Sequence, residues 1–155
     1  MTRLDLDGER ISVDVPPGWD VLVARPTEAG DDGQSTSNPV LHAANFPLPA
    51  RRGDFGSGAV ELMGPEDVFV SLFEYSADSA GQPLFAAEGI PRQLDPGLFD
   101  PNALQRVIAG QAGYQRFFTE QGRPFCLYVV LGSYANRGAV VPSVERFLAG
   151  LDIQP

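Results

Sequence analysis

Residues 125–131 read Phe125-Cys126-Leu127-Tyr128-Val129-Val130-Leu131, an almost unbroken apolar run, and residues 68–73, Val-Phe-Val-Ser-Leu-Phe, form a second such run upstream. A strand with one face in water alternates apolar and polar residues, whereas a strand buried on both faces has no need to. The two runs therefore predict two strands covered on both faces. The cover must come from another local helix or from a second subunit, and the sequence leaves both possibilities open.

The residues on either side of the second run predict a hairpin and a helix. Residues 111–119 have β character because Gly110 and Gly113 disfavour a helix, and Gln121-Gly122 suits the turn that would pair them antiparallel with residues 124–131. Downstream, Pro142 is expected in the first turn of a helix and Gly150 at its C-terminal cap. The apolar residues at helical spacing are Val140, Val141, Val144, Phe147, Leu148 and Leu151.

The N-terminal half predicts further strands. Alternating apolar residues on both sides of Asp7-Gly8 predict a hairpin with a two-residue turn, and residues 19–23 are expected to extend it into a three-stranded meander. Residues 40–46 predict a fourth strand, and residues 27–38 a mobile loop. Residues 59–63 predict a short helix that Ser57 caps and Gly64-Pro65 ends, whereas residues 84–87 are a candidate edge strand.

These elements define the expected fold class. An antiparallel β-sheet with a C-terminal amphipathic helix, and one or more short helices packed on it, is an α+β fold. A chain of 155 residues is long enough to bury a core without metal or disulfide support. We therefore expect one α+β domain over residues 1–155.

Charge and hydropathy exclude several partners. The net charge is −9, and all eleven basic residues are arginine, a usage typical of GC-rich codons that indicates a bacterial origin. A chain this acidic repels phosphate backbones, so no nucleic-acid partner is expected. Residues 1–7 lack the apolar run of a secretory signal, and no window has the roughly 20 apolar residues of a membrane span, so neither feature is expected. We expect no membrane partner and a cytoplasmic location.

Residue types that carry catalysis or bind metals are scarce. His42 is the only histidine and Cys126 the only cysteine. Because Cys126 lies in a buried-type strand, its thiol is expected to behave as a small apolar group rather than as a nucleophile paired with His42. We predict no catalytic residue, no metal site and no cofactor, and a non-enzymatic protein is the preferred interpretation.

Residues 45–55 are the best candidate for a working surface. The segment contains Asn45, Phe46, Phe55 and the only Arg-Arg pair, Arg51-Arg52, just ahead of a predicted helix N-terminus where backbone N–H groups favour anions. An anionic ligand or an acidic patch on a partner would bind there. The alternative is a connection whose aromatic rings enter the core while the arginines offset the acidic charge nearby.

Both ends of the chain carry combinations of elements that point to a family. The N-terminal one is Ile11-Ser12-Val13-Asp14-Val15-Pro16-Pro17-Gly18-Trp19, a strand followed by a Pro-Gly turn and a tryptophan; the C-terminal one is the strand at 125–131, then a helix and a closing strand at 144–153. Together they resemble the PsbP/Mog1-like superfamily of small α+β domains. The resemblance implies a sheet flanked by helices and a binding or assembly role, and no functional residue can be transferred from it.

Two functions remain as hypotheses. The first is a binding or assembly module that acts through a protein partner or as a homodimer. The second is a small-molecule binding protein or enzyme with a pocket between sheet and helix, in which His42, Arg51, Arg52 or Tyr128 would converge. The loop at residues 27–38 would gate that pocket.

Overall fold

The computed structural model describes residues 2–6, 10–24 and 39–155. Its strands are β1 (Thr2–Leu6), β2 (Ile11–Val15), β3 (Asp20–Ala24), β4 (Val40–Ala44), β5 (Val68–Glu74), β6 (Ala112–Glu120), β7 (Arg123–Leu131) and β8 (Leu151–Ile153). The described residues form one α-helix, α1 (Arg137–Ala149), and 3-10 helices at Val60–Leu62, Ala77–Ser79, Pro83–Phe85 and Pro96–Leu98. The expected turn at Asp7-Gly8 and the expected loop at 27–38 lie outside the described residues.

The strands form two antiparallel sheets. The small sheet has the order β1-β2-β8 and the large sheet the order β3-β4-β5-β7-β6. With α1, this is the α+β class that the sequence predicts. Within the described residues, no helix combines the length and the apolar character needed to cross a membrane.

The three-stranded meander expected at the N-terminus is wrong. The β1–β2 hairpin forms, but β3 belongs to the large sheet. The second edge of β2 is occupied by β8, which pairs Ile11 with Ile153 and Val13 with Leu151. Alternation of apolar and polar residues identifies a strand and its two faces, but it does not show which strand lies beside it in the sheet. The C-terminal strand therefore takes the place that the meander assigned to β3.

The two apolar runs become the neighbouring strands β5 and β7 near the centre of the large sheet, with Ser71 opposite Tyr128. Their inner face, which carries Val70 and Val129, packs into the main core with α1 and the small sheet. Their outer face, which carries Phe69 and Tyr128, packs under the chain's own segments around residues 46–63 and 104–108. The second cover that the sequence required is therefore supplied within this chain, mostly by irregular segments.

Helix α1 covers the inner face and is anchored by aromatic stacking. Its Phe147 stacks on Trp19 with ring centroids 5.0 Å apart and planes 8° apart. The helix begins at Arg137, so Pro142 lies inside it rather than in the first turn. The prediction was wrong there because the helix extends N-terminally through residues that the apolar pattern did not include. Gly150 is the C-cap, as expected, and its carbonyl accepts from Asp14 N at 2.9 Å.

A two-pronged ion pair joins the two sheets. The guanidinium of Arg123 donates to both carboxylate oxygens of Glu74, at 2.9 and 2.8 Å, and to the backbone oxygen of Gln154 at 2.7 Å. Since Gln154 follows β8, this one side chain ties an end of the large sheet to the small sheet. Bidentate arginine–carboxylate geometry is among the stronger polar interactions.

Of the predictions for the segments between the strands, one turn is confirmed, and one helix cap and one edge strand are wrong. The turn at Gln121-Gly122 is confirmed, with φ of +53° and +76°. Ser57 does not cap the short helix, which is a 3-10 turn with Ala59 at its N-cap. The edge strand expected at 84–87 is wrong, because Pro83 begins a 3-10 helix through Phe85. Proline has no N–H for a ladder and suits the first helical position, which explains the difference.

Candidate functional site

His42 lies on the outer face of β4 and is completely buried. Its Nδ1 accepts from Arg52 Nε at 2.9 Å, so its Nε2 carries the proton and donates to the backbone oxygen of Asp54 at 3.0 Å. Ser71 Oγ donates to the same oxygen at 2.7 Å. Burial lowers the pKa of His42, and the Arg52 charge acts in the same direction. His42 is thus a neutral side chain that holds residues 52–54 against the sheet.

The two arginines of the predicted surface lie in different environments. Arg52 is half-buried, and besides His42 its guanidinium donates to Pro49 O at 2.5 Å. Arg51 is exposed, and the described residues offer its guanidinium no partner. The helix N-terminus expected beside them is a 3-10 turn of three residues. The structure therefore does not bring Arg51 and Arg52 together over a helix end.

Asn45 and Phe46 directly follow β4. The side chain of Asn45 accepts from Val68 N at 2.7 Å and donates to Glu66 O at 3.0 Å, which fixes the start of β5. Phe46 is half-buried against the outer hydrophobic cluster. Both residues act in packing and in strand register where they stand.

Two residues of the predicted set line cavities: Asn45 borders one beside α1, and Phe55 borders one on the outer face of the large sheet. The Phe55 ring stacks on Phe73 at 6.1 Å and meets the edge of Tyr128 at 5.5 Å. The cavity beside it has a volume of about 240 Å³. It lies between the outer face of the large sheet and residues 53–60 and 104–111, on the opposite side of the sheet from α1. Of the four groups expected to converge in a pocket, Tyr128 lines this cavity.

Two glycines let the covering segments approach the sheet closely. Gly56 has φ of +93°, and a Cβ there would stand 2.6 Å from the ring of Phe69. A Cβ on Gly113 in β6 would stand 2.1 Å from Ala103 O and 2.7 Å from Leu104 Cδ2. Glycine within a strand often marks such a close approach of another segment. These two close approaches bring the segments that carry Phe55 and Leu104, two lining residues of the cavity, against the sheet.

The cavity is lined by both apolar and polar residues. The polar ones are Asp54, Ser57, Gln105, Arg106, Gln111 and Tyr128, and two of these, Tyr128 and Gln111, are buried. The apolar walls come from Phe55, Val60, Leu104 and Val130, together with the ring of Tyr128. The Tyr128 hydroxyl accepts from Gln105 N at 2.9 Å, and burial raises its pKa, so the group keeps its proton at neutral pH. Its hydrogen has no acceptor among the described residues.

The second buried polar group is the carboxamide of Gln111, which is only 4% exposed. Its Nε2 donates to Val60 O at 2.8 Å, whereas its Oε1 has no donor within the described part of the chain. A buried acceptor left unsatisfied costs about 1–3 kcal/mol. Such groups are rare in native proteins.

An exposed ion pair closes one side of the cavity mouth. Arg106 NH1 lies 3.3 Å from Glu61 Oε2 and joins the two covering segments. The residues that follow these two in the chain, Leu62 and Val107, are 65% and 63% exposed.

Neither metal ligands nor an activated nucleophile gather at this site. Within the described ranges, no three His, Cys, Asp or Glu side chains stand close enough to hold a metal ion. Cys126 is fully buried in β7 and does not line the cavity, and burial raises its pKa to about 11. Gln115 Nε2 donates to its sulfur at 3.4 Å.

Sequence reasoning missed Gln111 and the whole of residues 104–106. The signal that was present is the pair of small residues after Gln111, Ala112-Gly113, at the start of a strand. Small residues there indicate close approach of another segment, but they do not show which one.

Comparison with protein-family models, with curated proteins and with solved structures found no match to this chain. The resemblance to the PsbP/Mog1-like superfamily therefore stays a prediction. The function has to be argued from the cavity itself.

Proposed function

We propose that this protein binds a small organic molecule, without transforming it, in the cavity on the outer face of the large sheet. The observation that carries the proposal is the cavity of about 240 Å³, which is lined by the rings of Phe55 and Tyr128 and by the aliphatic side chains of Val60, Leu104 and Val130. A few polar groups among apolar walls fix the orientation of a ligand in such sites. The buried side chains of Gln111 and Tyr128 are polar groups of this kind.

The size and lining of the cavity support a small ligand. A dry apolar cavity of about 150 Å³ holds one benzene molecule. The cavity here, at about 240 Å³, has room for one ring and a few substituent atoms. Aromatic and aliphatic walls with few polar groups are typical of small-molecule sites.

Binding is favoured over catalysis by the chemistry of the two buried polar groups. A neutral carboxamide does not transfer protons, and the Tyr128 phenol is a poor acid because its pKa is raised. General acid–base catalysis needs a group whose pKa lies near the working pH. The pair can orient a ligand but offers no strong acid, base or nucleophile. The Asp54 carboxylate and the Ser57 hydroxyl also line the cavity, but among the described residues no base hydrogen-bonds to that hydroxyl to activate it.

A protein partner is the second candidate function. It is favoured by the exposure of Leu62 and Val107, which follow the paired Glu61 and Arg106 in the chain, because a partner could cover both apolar side chains. The burial of β5 and β7 does not itself call for a second subunit, since the chain's own segments cover both faces.

The test combines native mass spectrometry of the gently purified protein with NMR titration by toluene. Leu104→Trp should fill the cavity from the loop side, and Leu98→Trp is the matched control, because Leu98 is 56% exposed and lies outside the cavity. We expect toluene to shift the resonances of the lining residues. Leu104→Trp should weaken this binding at least about tenfold, and Leu98→Trp should leave it unchanged.

A retained adduct that is lost on denaturation would support the proposal directly. Equal binding by the two tryptophan variants would contradict it, as would the absence of any shift in the cavity resonances. A stable complex with a protein that Val107→Asp disrupts and Leu104→Trp does not would favour the second candidate.

A further inference from the structure

We propose that His42 regulates the cavity: a ligand binds when the His42 ring is neutral, and protonation of the ring weakens the binding. This inference rests on the proposed function and names the regulation of the same site. His42 does not line the cavity. It acts instead as a positioning residue, through the hydrogen bonds that hold residues 52–54 against the outer face of the large sheet.

The polar side chains under this segment lie in one row across three strands. His42 in β4 pairs with Ser71 in β5, and Ser71 pairs with Tyr128 in β7. His42 Nε2 and Ser71 Oγ both donate to the backbone oxygen of Asp54, at 3.0 and 2.7 Å. Tyr128, the third member of the row, lines the cavity. The Asp54 peptide is therefore fixed over β4 and β5, beside the strand that carries Tyr128.

This attachment sets the position of one wall of the cavity. Phe55 directly follows Asp54, and its ring meets the edge of the Tyr128 ring with centroids 5.5 Å apart. Four residues of the segment line the cavity, namely Gly53, Asp54, Phe55 and Ser57. A shift of residues 52–54 would therefore change the wall, including one of its two aromatic rings.

Arg52 makes the attachment depend on the charge of His42. Its Nε donates to Nδ1 of the ring at 2.9 Å, and only a ring nitrogen without a proton can accept this bond. Protonation of Nδ1 would remove the acceptor and place two cations side by side. Arg52 immediately precedes Gly53, which lines the cavity, so a displacement of Arg52 would be transmitted to the wall.

Burial keeps the His42 ring neutral at neutral pH. Burial is the largest effect on its pKa and lowers it, the Asp54 backbone bond raises it, the Arg52 charge lowers it, and the Asp54 charge raises it. The residues around the ring from the neighbouring strands are uncharged: Leu22, Ser71 and Phe69. Because coupling between two binding events is reciprocal, a ligand that binds better to the neutral state must lower the pKa of His42.

The first test is an NMR titration of the His42 ring in the unmodified protein, with and without saturating toluene. His42 is the only histidine, so its ring signal is unambiguous. A coupling of about fivefold, at the low end of typical values, would lower the pKa of His42 by about 0.7 pH units when toluene is bound. The affinity for toluene should decrease by the same factor, about fivefold, as His42 becomes protonated.

Two variants separate the charge of His42 from its hydrogen bonds. His42→Gln cannot titrate, and Ser71→Ala is the matched control in the same row, because it removes a donor to the Asp54 oxygen and keeps the titrating ring. In His42→Gln the toluene affinity should be independent of pH between about 7.5 and about 5. In Ser71→Ala it should decrease with pH as it does in the unmodified protein.

A pKa of His42 that stays the same when toluene binds would overturn the inference. A dependence of toluene affinity on pH that persists in His42→Gln would overturn it too. In both cases toluene binds, so the proposed function stands while regulation by His42 fails. If toluene shifts no resonance of the cavity lining at any pH, both fail.

Discussion

Lowering the pH should release residues 52–54 from the sheet and destabilise the fold through a single side chain, His42. In the folded protein His42 is neutral and fully buried, and its pKa lies below the value of 6.5 that it has when exposed. Protonation would remove the acceptor for Arg52 Nε, which is 2.9 Å away, and would place a second cation beside that guanidinium. The Asp54 backbone oxygen would keep its donor, and the Asp54 charge would favour the protonated form.

The direction in which stability changes with pH follows from proton linkage. Between the lowered pKa of the folded state and 6.5, the unfolded chain binds a proton that the folded chain does not. The contribution of His42 to the free energy of unfolding is therefore fully present above pH 6.5. It decreases as the pH falls below 6.5 and levels off below the pKa of the folded state. Within that window the decrease approaches about 1.4 kcal/mol per pH unit from this residue.

Urea unfolding followed by the fluorescence of Trp19, the only tryptophan, measures this dependence. His42→Gln is the control variant, because glutamine offers both an acceptor and a donor but does not titrate. Since the chain has no other histidine, the difference between the two stability curves from about pH 7.5 to about pH 5 isolates His42. An NMR titration of the His42 ring gives its folded pKa independently. Parallel stability curves, or a folded pKa at or above 6.5, would refute the reasoning.

Three further predictions follow from the packing of the chain. Gly56→Ala should destabilise the fold by about 2–4 kcal/mol in urea, from its positive φ and its contact with the Phe69 ring, whereas Gly81→Ala, with open space around it, should change stability little. Cys126 should resist a thiol reagent at neutral pH until the protein is unfolded, and rapid labelling of the native protein would contradict its burial and raised pKa. Arg123→Lys should cost at least about 1 kcal/mol because lysine cannot form the two-pronged bond to its carboxylate partner, and an unchanged urea midpoint would count against that ion pair.

Much of the secondary structure could be predicted because it depends on local patterns. The runs at 68–73 and 125–131 predicted the buried strands β5 and β7, and the glycine turn at 121–122 predicted the β6–β7 hairpin. The apolar spacing in residues 140–148 predicted α1, although not its start. Each of these signals is carried by residues close together in the chain, and the hydrophobic effect acts on them in almost any compact arrangement.

The candidate site could be predicted only in part. Phe55 and Tyr128 were named, and both line the cavity. His42 and Arg52 were named as binding groups, and the structure places them in a hydrogen-bond network that holds the cavity wall. Gln111 was not named, because a glutamine carries no signal until its neighbours are known.

The sequence by itself determined the fold class, the two doubly covered strands and the charge that disfavours nucleic acid. The tertiary structure decided that β8, rather than β3, pairs with β2, and that irregular segments of the chain cover the outer face. It also decided that the Gln111 side-chain oxygen is buried with no donor among the described residues. The physical reason is range: periodicity and turn chemistry are local, whereas strand partners and unsatisfied polar atoms depend on contacts between residues far apart in the chain.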